Sequence, residues 1–300
     1  MKINRRQFLE STTLAAGSLL LGGRLCRADT PIVKKALDAA DVVPLGKSGL
    51  KVSRLMLGTG MKGGQRQSNH TRMGAEKFNA LVRGAHERGS RFFDLADLYG
   101  THEFFAGAVK DIPRADYAVT TKIWWGRGGI PEPDRPDADV VVKRFLKELK
   151  TDYLDLVLLH CVTSGKWPDE LQKQMELLAD LKKKGAIRAH GVSCHSLPAL
   201  KAAAKEPWVD SIHARINPYG ASMDGKPEDI LPVLREAKSN GKGVVGMKII
   251  GEGRFRNDVD KKNASVRFAS ESGCVDVLLV GCENLVELDE VRQMIRAATT

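Results

Sequence analysis

A closed (β/α)8 (TIM) barrel with a short N-terminal β-hairpin is the fold the sequence predicts, on three observations. Eight short apolar segments, rich in β-branched residues or leucine, recur from Leu55 to Val280, and each is followed by a segment with helical apolar spacing. The alternating region has close to the roughly 250 residues usual for such a barrel. Polar residues gather where strand patterns end and loops begin, which is where a barrel of this kind carries its chemistry. An open doubly wound sheet is the competing arrangement. It is disfavoured because Leu57-Gly58-Thr59-Gly60 is not followed by a G-x-x-G helix start.

Residues 1–28 form an address rather than part of the barrel. Lys2, Arg5 and Arg6 make a basic start, Ser11–Gly23 is a small-residue apolar stretch, and Arg24–Ala28 is a polar exit. This is the layout of a signal peptide, too short to span a bilayer comfortably. Asn4-Arg5-Arg6-Gln7-Phe8-Leu9-Glu10 resembles a twin-arginine (Tat) export signal. The competing reading is a membrane-skimming helix or an uncleaved anchor. Export predicts a periplasmic or otherwise exported protein, the Tat translocon as a transient partner, cleavage near Ala28, and no integral membrane association afterwards. The Tat route carries folded proteins, so a cofactor enzyme is a reasonable cargo.

Residues 29–41 read as a loose lead-in, and 42–300 as the barrel. Val42–Val52 has two apolar runs around Gly46-Lys47-Ser48-Gly49, the pattern of a hairpin. Strands are predicted at Leu55–Thr59, Arg91–Ala96, Tyr117–Ile123, Leu154–His160, Ala186–Ser193, Val209–Ala214, Gly243–Lys248 and Val275–Val280. Helices are predicted at Ala75–Arg88, His102–Val109, Ala138–Leu149, Glu170–Lys184, Leu197–Lys205, Pro227–Asn240, Val259–Glu271 and Glu287–Ala298. Gly126–Asp137, rich in glycine and proline, reads as a loop and not as a domain linker.

Composition removes other classes. With 42% hydrophobic and 28% charged residues, collagen, bulk disorder and low-complexity protein are excluded. No apolar run is long enough for a polytopic membrane protein. The net charge of +10 would raise nucleic acid as a partner. Removing residues 1–28 takes away five basic residues and one acidic one, which leaves 42 basic against 36 acidic, a net +6. Solvated helix faces account for that balance without a nucleic-acid partner.

The chemistry lies in four residues from successive strand ends. Asp94 and Tyr99 follow the second barrel strand, Lys122 ends the third and His160 the fourth. A Lys–Asp pair there is partly desolvated, and an ammonium beside a phenol lowers the phenol's pKa. Such a tyrosine can protonate a carbonyl oxygen as it becomes an alkoxide, with His160 orienting the carbonyl. The set lacks a nucleophile–base pair, which argues against acyl transfer. It suits carbonyl reduction with hydride from a nicotinamide.

These residues carry a resemblance. Leu45-Gly46-Lys47-Ser48-Gly49-Leu50-Lys51-Val52-Ser53 followed by Leu57-Gly58-Thr59-Gly60 resembles the N-terminal signature of the aldo/keto reductase family. Asp94-Leu95-Ala96-Asp97-Leu98-Tyr99-Gly100 is similar to its Asp-x-Ala-x-x-Tyr-Gly motif. Thr120-Thr121-Lys122, the run from Tyr153 to His160, and Gly191-Val192-Ser193 resemble its lysine, histidine and fifth strands. The resemblance spans roughly residues 42–296. It implies a (β/α)8 barrel, an NADPH or NADH cofactor and reversible reduction of a small-molecule aldehyde or ketone. It makes Tyr99 the proton donor, tuned by Lys122 and Asp94. It also implies cofactor contacts at Thr59, Gly60, Ser193, Lys248 and Glu287.

The cofactor side departs from the family pattern. Cys194 replaces the asparagine after Ser193, His213 stands where a glutamine is usual, and Met247 stands near a stacking aromatic. Glu283 lies about where an arginine often grips a 2′-phosphate, and a carboxylate there repels phosphate. Lys248 is the cation at hand to replace it.

Further residues have two readings. Trp124 and Trp125 line an apolar substrate wall or cover the barrel rim. Arg215 holds an anionic group or, preferably, pairs with Asp97 or Glu103. Lys182-Lys183-Lys184 reads as a helix C-terminus. Cys161, Cys194 and Cys282 read as small buried hydrophobes, with one disulfide possible among the four cysteines beyond Cys26. Two rival functions stand beside the reductase. One is a metal-dependent hydrolase using His160, His195 and His213, although Lys122 would occupy the cation's place and the reductase reading assigns no metal ligands. The other is a redox sensor that binds cofactor without turnover.

Overall fold

The computed structural model describes residues 36–298. The expected leader and export signal fall outside those residues. Ten strands occur among them: β1 (Val42–Pro44), β2 (Lys51–Ser53), β3 (Leu55–Gly58), β4 (Phe92–Asp94), β5 (Ala118–Trp124), β6 (Leu154–Val162), β7 (Ile187–Cys194), β8 (Ser211–Arg215), β9 (Gly243–Met247) and β10 (Val277–Gly281). The first two pair antiparallel as the predicted hairpin. The other eight close in the order β10-β3-β4-β5-β6-β7-β8-β9. Each barrel neighbour is parallel, as in Phe92 beside Ala118 and Lys122 beside Leu158.

The hairpin plugs one end. Lys47 N–H donates to the Gly241 carbonyl at 2.7 Å, and a β-carbon on Gly46 would lie 2.2 Å from the nitrogen of Gly243. Gly46 also has φ +54, so glycine answers both demands there. Leu45, Leu50 and Val52 of the hairpin join Met56, Phe92, Leu156, Leu158, Ala189, Val245 and Val277 in an apolar cluster inside the barrel. The larger apolar cluster lies between barrel and helices and includes Leu57, Phe93, Val119, Val157, Ile212 and Ala214.

Alternation along each strand then fixes what faces the open end. Two residues on from Phe92 comes Asp94, two on from Leu158 comes His160, and two on from Val245 comes Met247. His213 lies between the outward Ile212 and Ala214 and so points inward. The apolar floor and the polar mouth are successive layers of the same inner face.

Helices cover the outside and start where caps allow. Ser196 accepts from Ala199 N–H, Asp258 from Lys261 N–H and Asn284 from Glu287 N–H. The last cap starts the final helix at Leu285, two residues before the predicted Glu287. The predicted helix Glu170–Lys184 divides at Leu171 into Trp167–Glu170 and Gln172–Lys183. Asn69–Arg72, capped reciprocally by Ser68 and Thr71, is a further short helix. Gly126–Asp137 is a loop, as predicted. The lead-in is not loose from residue 36 onward: Leu37 and Ala39 are buried, and Asp38 pairs with Arg296 at 2.8 Å.

Candidate active site

Asp94 closes β4, and the chain then makes a 3-10 turn, Asp97–Tyr99, that ends on Gly100 at φ +68. A β-carbon at Gly100 would meet the Arg66 carbonyl oxygen at 1.8 Å, so the turn that presents Tyr99 requires glycine. The Tyr99 ring lies flat against the loop after β3. β-Carbons at Gly60 and Gly63 would fall 2.3 and 2.6 Å from its atoms.

Lys122 comes from β5 with 1% of its surface exposed, and Asp94 has 3%. The Lys122 ammonium donates in a tight ion pair to Asp94 Oδ1, to the Leu95 carbonyl at 2.9 Å, and towards the Tyr99 hydroxyl at 3.4 Å. Its three protons therefore have three acceptors. Burial pushes Lys122 down and Asp94 up, and each restrains the other's shift.

The acidic phenol expected from the sequence is overturned. Burial pushes Tyr99 well above the usual phenol range, and the Asp94 carboxylate and Cys161 add to the effect. The physical reason is burial, which disfavours the charged phenolate, and the ammonium does not offset it. Asp94 lies against the ammonium, so the pair presents little net positive charge to the phenol. Tyr99 keeps its proton, which suits a donor.

His160 packs edge-on to Tyr99 (ring centroids 5.7 Å apart), to Trp124 (5.5 Å) and to His195 (6.4 Å). Burial first, then Lys122, pushes its pKa well down, so the imidazole is neutral. A bulge between Leu159 and Val162 follows, and Cys161 there has φ +57. Its thiol sits 3.3 Å from His195 Nε2, and burial pushes it up to about 11. Cys161 is half-buried at the mouth, whereas Cys194 and Cys282 are buried as read, and no disulfide links the four described cysteines.

The remaining predicted residues separate. Trp124 stands at the mouth, with Nε1 donating to the Gly128 carbonyl at 2.7 Å. Trp125 instead packs against the outer apolar cluster. Thr59 is buried, its hydroxyl donating to the Asp94 carbonyl at 2.8 Å and lying 2.9 Å from that of Thr101. Ser193 accepts the Cys161 N–H at 2.9 Å, which leaves its own proton to donate. Lys248, at φ +56, pairs with Glu252. Glu287 accepts the Glu283 N–H at 2.8 Å and pairs with Arg256.

Arg215 corrects another expectation. Its partner is Asp224 at 3.4 Å, with His195 Nδ1 beside it, and neither Asp97 nor Glu103 is involved. Asp97 is held by Arg66 and Arg144, at 2.8 and 2.7 Å. Arg256 escaped the sequence reading because nothing in its local pattern marks it. It bridges Glu283 and Glu287, and Asn69 also donates to Glu283 at 2.6 Å.

A nicotinamide fits the inner end of this site. Both ring nitrogens of His213 and the Nδ1 of His160 are buried without a hydrogen-bond partner, and the Ser193 hydroxyl has a proton to give. A carboxamide is a polar group that such a set can satisfy. Elsewhere, Glu283 and Glu287 are both paired with Arg256.

A family model described as the aldo/keto reductase family matches residues 54–298. The uncharacterized oxidoreductase YqkF of Bacillus subtilis is 31% identical over 201 residues, which cover 64% of this chain and 60% of that protein. Methylglyoxal reductase DkgB of Salmonella typhimurium is 30% identical over 150 residues, 47% of this chain and 52% of that one. The chain thus spans about half to three-fifths of these curated relatives. In three dimensions it matches the holo form of aldo-keto reductase AKR11C1 from Bacillus halodurans with a TM-score of 0.66 at 23% identity, over 87% of this chain and 96% of that one. It matches an aldo-keto reductase from Klebsiella pneumoniae in complex with NADPH with a TM-score of 0.65 at 19% identity, over 90% and 92%. These structural likenesses carry the fold.

Proposed function

The chain belongs to the aldo/keto reductase family, and from that premise we propose that it reduces an aldehyde or ketone to an alcohol with NADH or NADPH. The observation that carries this reading is the contact set at the barrel mouth: Lys122 bound to Asp94 and reaching the Tyr99 hydroxyl at 3.4 Å. A bound reduced nicotinamide supplies the hydride. Ser193 and His213 would hold its carboxamide. The Tyr99 hydroxyl donates its proton to the carbonyl oxygen as negative charge develops there. The Lys122 ammonium, held by Asp94 and the Leu95 carbonyl, stabilises the phenolate left behind. The neutral His160 ring orients the carbonyl, and Trp124 walls the substrate side.

A small carbonyl compound is the substrate class. Because one relative is named a methylglyoxal reductase, a 2-oxoaldehyde is the first to assay. The family resemblance puts Glu283 and Glu287 at the adenosine end, where carboxylates favour NADH over NADPH. The deciding experiment is single-turnover oxidation of bound NADH by a test aldehyde, in wild type and in Tyr99→Phe. Wild type is expected to transfer hydride. The variant should lose about 10²–10⁴-fold in rate while binding cofactor as before, because it lacks only the donated proton. A saturated wild-type complex that transfers no hydride would favour a sensor that binds without turnover.

Export belongs to the same proposal. The basic start and Arg5-Arg6 support a Tat-type leader, passage through that translocon with cofactor bound, and a periplasmic location. Fractionation of cells expressing the full chain, with and without Arg5→Lys and Arg6→Lys together, tests it. A variant exported as well as wild type would end the reading.

A further inference from the structure

The reductase reading gives His213 one partner, the carboxamide, and leaves its other ring nitrogen without one. His213 has 0% exposure, and neither ring nitrogen has a hydrogen-bond partner. Buried polar atoms are nearly always paired, so an imidazole with two unpaired nitrogens calls for a partner. Its Nδ1 lies 3.9 Å from Asp94 Oδ1, the same oxygen that binds Lys122. A small rotation or one bridging water closes that gap. We propose that His213 is a positioning residue of the proton-donating set: by hydrogen bonding through Nδ1 to the Asp94 carboxylate, it sets how Lys122 is charged and aimed at Tyr99.

The surroundings support the direction of that bond. Facing His213 are Asp94 from β4, Lys122 from β5, His160 from β6 and Ser193 from β7, and Lys248 follows β9. Among these, Asp94 carries the negative charge that accepts. Burial first, then the Lys122 ammonium, pushes the His213 pKa well down, so the ring is neutral and has one N–H to give. That donation stabilises Asp94 as a carboxylate. A stabilised carboxylate does not draw the proton off Lys122, so the lysine stays an ammonium in its buried site. The Nε2 edge remains for the nicotinamide. Tyr99, Lys122, Asp94 and His213 thus form one chain of contacts across β4, β5 and β8.

The inference rests on the reductase reading for its purpose but not for its test. The Lys122 titration is followed by NMR of the cofactor-free protein labelled with 13C-lysine, its signal identified by its loss in Lys122→Met. In His213→Leu the Lys122 midpoint is expected to fall by about one unit. In His213→Gln, which keeps an N–H donor, it should return to the wild-type value. The melting temperature of His213→Leu should fall, because the buried Asp94 carboxylate loses a hydrogen-bond donor, and that of His213→Gln should hold. A folded His213→Leu with the wild-type Lys122 midpoint overturns the proposal, and His213→Met carries the same test if the leucine variant does not fold. If wild type transfers no hydride to any test carbonyl, the reductase reading fails while the Lys122 midpoint still judges His213.

Discussion

Gly60 and Tyr99 occupy each other's space. A β-carbon on Gly60 would stand 2.3 Å from the phenol ring, so the loop after β3 can seat the ring only because residue 60 has no side chain. The seat sets where the hydroxyl lies, and from there it lies 3.4 Å from Lys122.

Gly60→Ala is therefore expected to displace the ring and to part Tyr99 from Lys122. A misplacement of about 1 Å costs on the order of 10²-fold in rate. Carbonyl reduction should fall by about that factor while the melting temperature changes little. Steady-state kinetics and a thermal melt on the same sample check it, and full activity would show that the ring's position is not critical.

Lys122→Met should act on both stability and chemistry. It leaves Asp94 buried without its counter-ion, and removing one partner of a buried pair costs about 3–5 kcal/mol. The Asp94 carboxyl, already raised by burial, should rise further and take up a proton. Urea unfolding of Lys122→Met and of the double variant with Asp94→Asn separates the effects. The second change should recover most of the stability and none of the activity.

Acid should destabilise the barrel through its histidines. Burial pushes His190 down to about 4, and burial with the Arg215 guanidinium pushes His195 down to about 3. A histidine with a depressed folded pKa favours the fold above the usual value near 6.5, and that contribution is lost as pH falls through the folded pKa. The melting temperature should thus drop between about pH 6.5 and pH 3. His190→Phe, which keeps a ring on the Trp208 face where the centroids are 4.2 Å apart, should flatten part of that slope.

The two neighbouring tryptophans should part in their effects. Trp124 lies against His160 at the mouth, and Trp125 packs on the outer cluster. Trp124→Ala is expected to raise KM several-fold with little loss of stability. Trp125→Ala should cost about 1–3 kcal/mol and leave KM near wild type. Kinetics and denaturant melts of both variants make the comparison.

Strand order and the four residues Asp94, Tyr99, Lys122 and His160 were legible in the sequence. Strand period and length say which side chain ends a strand, and a parallel barrel delivers every strand end to one mouth. The hairpin was legible because its glycines and flanking apolar runs are local. The short helix Asn69–Arg72 was not: one turn held by Ser68 and Thr71 leaves too few residues for a periodic pattern.

The sequence by itself determined the barrel, its direction and the residue types at its mouth, because these follow from periodicities read within a few residues. The tertiary structure alone decided how those residues behave. It buried Tyr99 beside the Asp94 carboxylate so that it keeps its proton, gave Arg215 to Asp224, and drew Asn69 and Arg256 to Glu283, the first across 214 residues of chain. Charge and burial act through space, and distances between loops that meet only on closing the barrel are not written in local spacing.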